Sequence, residues 1–402
     1  MENAITHRFS AISTAPPDAI LGLTEAFQAD PNPEKMNLTV GVYKDESGQT
    51  PILKSVKLAE EKLLAAESSK GYLPIDGTPE YRELVHDLVF GKTVSKDRIA
   101  ILQSPGGTGA LRVAADFMQT QLPAVRIWVP NPTWANHQAV FTAAGLPVET
   151  YRYLGDDRTS LDLDGMLDAL KTQTREGDAV LLHGCCHNPT GVDPTTDQWH
   201  QIATVIEQKQ LLPLIDFAYQ GFGDGLESDA AGMRQILSQV DEAIVCSSFS
   251  KNFGLYSERV GAIALVAASS EARDAARSQL KRVVRTNFSN PPRHGGSIVS
   301  TILSDANLRE QWESELTSMR DRINRLRNSF VEKMSNVEGS SHFEFLRSQR
   351  GMFSFSGLTP MQVDELKTRF GIYIVGSGRV NVAGIAESKM EYLCNAIATV
   401  RK

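Results

Sequence analysis

The chain has 402 residues, enough for two or three domains or for one large domain with a lobe. Hydrophobic residues make up 41% and charged residues 22%, which excludes disorder and provides for a sizeable core. Lys and Arg number 41 against 48 Asp and Glu, a net charge of −7, so no global positive field favours nucleic acid or an anionic membrane, and any bound anion must be held by local groups.

No apolar run is long enough to span a bilayer; the longest lies around Val260 to Ala268. Met1 to Ser13 lacks the basic stretch and apolar core of a secretory signal, although its Ser and Thr content leaves an organelle-targeting reading open. The expectation is a cytoplasmic enzyme without membrane attachment. Cys185, Cys186, Cys246 and Cys394 show no CxxC spacing, which fits reduced cytosolic thiols, so the sequons at Asn37 and Asn287 carry no meaning.

From residue 97 onward, short apolar runs alternate with longer helical patterns. The runs at 99–103, 126–130, 179–184, 211–216, 243–247 and 260–266 predict strands of a doubly wound, mostly parallel α/β sheet. In such folds ligands sit at the C-terminal strand ends. After the first run, Gly106-Gly107-Thr108-Gly109-Ala110 opens a helical pattern over 110–122, which suits a phosphate or is simply a tight turn. It is not a P-loop: Gly91-Lys92-Thr93 would need Gly at 86, where His86 stands, and Gly376-Ser377-Gly378 precedes strand residues and fails the Rossmann context.

The 179–184 run ends in His183-Gly184-Cys185-Cys186-His187-Asn188-Pro189-Thr190-Gly191. Zinc is disfavoured because these contiguous residues offer no chelating loop and no second ligand pair downstream, so no metal is expected. The Asn-Pro-Thr-Gly turn would present the Asn188 amide over the sheet edge. The next run ends at Asp216, where an acid after apolar residues needs a cationic partner or hydrogen bonds, or caps a helix. The following run leads into Ser248-Phe249-Ser250-Lys251-Asn252-Phe253, with Arg259 eight residues beyond Lys251. A strand-end lysine among hydroxyls and phenylalanines either snorkels to solvent or has a lowered pKa suited to Schiff-base chemistry. Taken together, a lysine, an acid and an anion cradle on successive strand ends point to pyridoxal phosphate.

Apolar residues at Leu308, Trp312, Leu316, Met319, Ile323, Leu326, Phe330 and Met334 predict one long helix over 306–334 bridging two lobes. Phe343 to Phe355 and Tyr373 to Val382 read as strands around a helix opened by Pro360, giving an α+β C-terminal lobe.

The segments VGVYKDESGQTP (40–51), GYLPIDG (71–77), PGGTGALRVAADF (105–117), NPTWANHQ (131–138), HGCCHNPTGVDPT (183–195), DFAYQGFGDG (216–225), SFSKNFGLYSERVGA (248–262), RTNFSNPPRHG (285–295) and GRVNVAG (378–384) occur in an order that resembles the class I pyridoxal-phosphate-dependent aminotransferases, specifically the aspartate aminotransferase branch. The resemblance covers essentially the whole chain. It implies a fold-type I homodimer with shared active sites, built from an N-terminal arm and part of the small domain (1–50), a large cofactor-binding domain (51–315) and a small C-terminal domain (316–402). It implies exchange of an amino group between L-aspartate and 2-oxoglutarate, that is, amino acids and 2-oxo acids as partners.

The roles implied by this resemblance are the following. Lys251 forms the Schiff base and moves the Cα proton. Asp216 pairs with the ring nitrogen, with His137 behind it, while Tyr219 and Asn188 bond the ring oxygen and Trp134 stacks on the ring. Gly107, Thr108, Ser248 and Arg259 hold the phosphate, helped by Tyr72 from the other subunit. Arg379 grips the substrate α-carboxylate, Arg285 from the other subunit grips the distal one, and Gly41 lines the substrate site with Trp134 and Asn188. The alternative is the aromatic-amino-acid branch, which shares these catalytic residues. Val42, Lys44, Thr50, Thr108 and Asn290 read as aspartate-like, whereas Gly71 departs from the aspartate pattern by lacking a polar side chain beside Tyr72.

Overall fold

The structure is a computed structural model that describes residues 7, 9, 10, 12–15 and 21–402. The targeting reading of Met1 to Ser13 falls largely outside the described residues. A seven-stranded sheet forms the centre, with strands β1 (Ile99–Ser104), β2 (Ile127–Asn131), β3 (Val148–Arg152), β4 (Ala179–His183), β5 (Leu212–Phe217), β6 (Ala243–Ser248) and β7 (Gly261–Val266). Their spatial order is β1-β7-β6-β5-β4-β2-β3, and only β7 runs antiparallel to its neighbours, so the sheet is mostly parallel, as expected.

The inner strands read as continuous apolar runs because both faces are covered. Leu102, Val129, Leu181, Leu214, Ile244 and Ile263 pack on one side under the helices Gly106–Gln121 and Ser270–Asn287. Ile101, Trp128, Val180, Ile215, Val245 and Ala264 face the other side, under Pro79–Val89, Thr196–Gln208 and Leu226–Leu237. Strand β3, not expected from the sequence, forms one edge of the sheet. Its VETYR sequence buries only Tyr151, so it carries no apolar run to read.

The long helix spans Ala306–Glu338 rather than ending at 334. Asp305 caps it by accepting from the Asn307 and Leu308 amides, and Gly339 ends it at φ 65°. All eight residues of the stripe are buried. The helix packs on Lys54–Ala66, Arg293–Ser304 and Met390–Val400. Trp312 stacks on Phe253 with ring centroids 4.3 Å apart and donates from Nε1 to the Asn252 carbonyl at 2.8 Å, which braces the segment just after Lys251.

Two strand expectations in the C-terminal region need correction. Of 343–355, only Phe353–Phe355 is a strand; Glu344–Ser348 is a 3-10 turn, and Gly351 at φ 81° breaks the extended run. Likewise 373–382 is divided by a turn at Gly378, φ 89°. Ile372–Tyr373 pairs in parallel with Met36–Asn37, and Arg379–Asn381 pairs antiparallel with Phe353–Phe355. The Pro360-led helix forms as expected, over Pro360–Phe370.

Candidate active site

The C-terminal ends of β1, β4, β5 and β6 converge on one cavity of about 230 Å³. Its lining includes Gly41, Gly107, Thr108, Trp134, Asn188, Asp216, Tyr219, Ser248, Lys251, Arg259 and Arg379, all expected from the sequence, together with Tyr256 and Phe353, which were not.

Asp216 lies within β5, in register with His183 of β4 and Cys246 of β6, so it is not a helix cap. Its Oδ2 is 3.0 Å from His137 Nε2. His137 Nδ1 is 2.8 Å from Thr133 Oγ1, which is 3.0 Å from His183 Nε2. With His137 donating to Asp216, one consistent arrangement follows: His183 donates to Thr133, and Thr133 donates to His137 Nδ1. Burial pushes the Asp216 carboxyl up, but the opposing effects, led by the hydrogen bond from His137, outweigh it and hold the group below the ordinary carboxylate range. Burial also drives the His183 pKa down to about 3, so that ring is neutral. The roles of Thr133 and His183 were missed; the only available signal was that Thr133 stands four residues before His137 in NPTWANHQ.

Lys251 is partly buried, and its Nζ lies 4.8 Å from the centroid of the Tyr219 ring. No acid among the described residues pairs with it. Burial lowers its pKa, Asp216 opposes this, and Arg259 adds to the lowering. Burial raises the Tyr219 hydroxyl pKa, keeping it a proton donor. Trp134 meets His137 edge to face at 5.2 Å between centroids.

The helix after β1 begins at Gly106, earlier than the predicted 110, and no side chain caps its N-terminus. Gly106 has φ 73°, and a Cβ there would run into the Arg259 guanidinium. Arg259 Nη1 donates to Ser250 Oγ at 3.2 Å and to the Tyr256 carbonyl at 2.9 Å, both neutral acceptors. Free helix N–H groups, an arginine without an acid and the Ser248 hydroxyl thus surround one spot, a cradle suited to a phosphate dianion. With Lys251 and Asp216 at the other end, the donor set fits pyridoxal phosphate.

Across the cavity, Arg379 is 6% exposed and has no carboxylate partner among the described residues. Its Nη1 donates to Asn188 Oδ1 at 3.3 Å, its Nη2 to the Thr39 carbonyl at 2.6 Å, and its buried Nε has no partner. Asn188 therefore spends its oxygen on Arg379 and keeps its Nδ2 hydrogens for a ligand. Three expected residues are not part of this lining: His137 is buried behind Asp216, Tyr72 is 94% exposed, and Arg285, also exposed, donates to Ser289 Oγ. His183 and His187 spend a ring nitrogen each on Thr133 and Thr190.

The family model for aminotransferase class I and II matches residues 33–397. The chain belongs to this family. It is 53% identical over 395 residues to an aspartate aminotransferase of Escherichia coli, covering 98% of this chain and 100% of that relative. Among solved structures, an aromatic-amino-acid aminotransferase from Burkholderia pseudomallei, described as covalently bound to pyridoxal phosphate, is 46% identical with a TM-score of 0.96, covering 99% of this chain and 100% of that one. A cytoplasmic aspartate aminotransferase from Saccharomyces cerevisiae is 37% identical with a TM-score of 0.95, covering 98% of each chain. No helix among the described residues is long and apolar enough to cross a membrane.

Proposed function

We propose that this transaminase is an aspartate aminotransferase that moves the amino group of L-aspartate to 2-oxoglutarate, giving oxaloacetate and L-glutamate. The observation that carries the reading is the buried Arg379 guanidinium, without an acid, facing the cavity that holds Lys251 and Asp216. A desolvated cation of this kind is stabilised when a substrate carboxylate arrives. The family and the aspartate aminotransferase relatives support the same reading.

The cofactor is pyridoxal phosphate, which supplies an aldehyde for amine exchange and a ring that withdraws electrons from the substrate Cα. Arg259, Ser248 and the Gly107 and Thr108 amides would hold its phosphate, with Tyr72 of the partner subunit. Asp216, fixed by His137, would hold a proton at the ring nitrogen, and a carboxyl kept below its ordinary pKa is ionised for that task. Tyr219 and Asn188 Nδ2 would donate to the ring oxygen, and Trp134 would cover the ring face. Lys251, once displaced by the substrate amine, would take the Cα proton on Nζ and return it at the other end of the exchange. Arg379 would grip the α-carboxylate beside Gly41, and Arg285 of the partner subunit the distal one.

Aspartate and 2-oxoglutarate both carry two carboxylates, so one two-arginine pocket serves both half-reactions. The reading makes the protein a cytoplasmic homodimer with the domain division 1–50, 51–315 and 316–402. The alternative, an aromatic-amino-acid aminotransferase with dicarboxylate activity, is favoured by Gly71, which leaves the space beside Tyr72 without a side chain. A substrate panel decides between them. With 2-oxoglutarate as acceptor, aspartate should exceed phenylalanine and tyrosine in kcat/KM by at least about tenfold, a difference of roughly 1.4 kcal/mol in transition-state binding. The reverse order would establish the aromatic reading.

A further inference from the structure

Arg379 poses a physical problem that its hydrogen bonds do not solve. A buried guanidinium needs stabilisation, but a carboxylate from the protein would cancel the charge that the substrate must meet. The two oxygens that touch it, on Asn188 and Thr39, are neutral. The third contact is the face of Phe353, whose ring centroid lies 4.4 Å from the Arg379 Cζ. A π face attracts a cation without occupying any of its N–H donors, which fits the free Nε.

The Phe353 ring is itself held on several sides. Its backbone pairs with Asn381, two residues beyond Arg379 on the neighbouring strand. Tyr219 meets it edge to face at 6.1 Å between centroids. At its tip, a Cβ added to Gly41 would stand 2.7 Å from Phe353 Cζ, so the missing side chain at 41 leaves the ring its place.

We infer that Phe353 is a positioning residue of the reaction: its ring holds the Arg379 guanidinium charged, oriented and unneutralised for the α-carboxylate common to all substrates. The inference rests on the role proposed above for Arg379. It links three residues that sequence reasoning treated separately or not at all, since Gly41 keeps the ring in place, the ring steadies the arginine, and the arginine reads the substrate.

The test uses the holoenzyme with Phe353→Leu and with 3,5-difluorophenylalanine at position 353. The second keeps the shape and the hydrogen facing Gly41 while withdrawing electron density from the ring face. Loss of a buried cation–π contact should raise KM for aspartate and for 2-oxoglutarate together by about five- to thirtyfold in the Leu variant, with kcat within about twofold. The difluoro variant should fall between, with an unchanged melting temperature. Calorimetric Kd values for succinate, which has no amino group to react, should rise in the same order. Unchanged KM and succinate Kd in the difluoro variant would overturn the inference, as would a joint loss of kcat and thermal stability in the Leu variant without a KM shift. A wild-type enzyme unable to use aspartate would refute the functional reading instead, and the succinate comparison would still decide the role of Phe353.

Discussion

Replacing Arg379 with leucine removes the group proposed to recognise every substrate, and the structure sets the size of the effect. The guanidinium is buried, has no competing acid and keeps its Nε free, so a substrate carboxylate would form a dry, charge-assisted pair with it. Removing one member of such a pair costs roughly 3–5 kcal/mol, which at about 1.4 kcal/mol per decade lowers kcat/KM by about two to four orders of magnitude. Arg379→Lys keeps a charge but not the fork, since one ammonium cannot serve the Thr39 carbonyl, Asn188 and a bidentate carboxylate together; it should fall between wild type and Leu. Because the α-carboxylate is common to aspartate, glutamate and the aromatic amino acids, all should lose activity in similar proportion. Single-turnover half-reactions at varied amino acid concentration measure this directly. If the Leu variant stays within tenfold of wild type for aspartate while retaining cofactor, the α-carboxylate is bound elsewhere and the reasoning from the unpaired guanidinium fails.

Three further outcomes are expected. Borohydride reduction of the holoenzyme should fix the cofactor to Lys251, as peptide mapping would reveal, and Lys251→Ala should slow proton transfer by orders of magnitude because the base is gone; a label on another lysine would reassign the site. Mixing Lys251→Ala with Arg285→Leu subunits should restore aspartate activity in verified heterodimers, since one composite site then has both groups, and no recovery would refute shared sites. His183, with a folded pKa of about 3 against an ordinary value of 6.5, is neutral in the fold, so its contribution to stability is present above the ordinary value and is lost as pH falls toward 3. Between pH 7 and pH 5 this amounts to at most about 2 kcal/mol, and His183→Gln should flatten the loss in denaturant melts at the two pH values; equal slopes would remove His183 as the cause.

What the sequence revealed about this protein follows from where each signal is stored. Lys251, Asp216 and Asn188 are legible because each breaks a local expectation: a charge or an amide closes a run that otherwise reads as buried strand. The buried strands are legible because burial on both faces writes them as apolar runs, and β3 is not, because it exposes most of its residues and buries only Tyr151. Thr133 and His183 look like ordinary turn and strand-end residues. Their link to Asp216 exists only once β4 and β5 lie side by side. Phe353 leaves no trace at all, since a phenylalanine in a short strand is packing by default, and its relation to Arg379 comes from pairing across two segments more than twenty residues apart in sequence.

The cavity is also where this otherwise regular fold concentrates its unfavourable groups. Lys251 is partly buried without an acid among the described residues, Arg379 is buried without one, and Arg259 bonds only neutral oxygens from a backbone at φ 53°. Elsewhere among the described residues several charges are paired: Arg126 and the Trp128 indole close on Asp178, and Asp76 gathers Arg82, Arg277 and Lys281, although buried Arg327 bonds only neutral oxygens. Three unpaired cations around one cavity, opposite a single ionised Asp216, leave a local positive excess in a chain whose net charge is −7. Such an excess is stable only if anions complete the site, and its distribution says which ones. The charge at Arg259 lies by the helix N-terminus, where a phosphate would be held. The charge at Arg379 lies across the cavity, where a carboxylate can approach. Lys251 lines the same cavity, where the aldehyde of a cofactor held by its phosphate would meet an amine and the substrate carboxylate would meet Arg379.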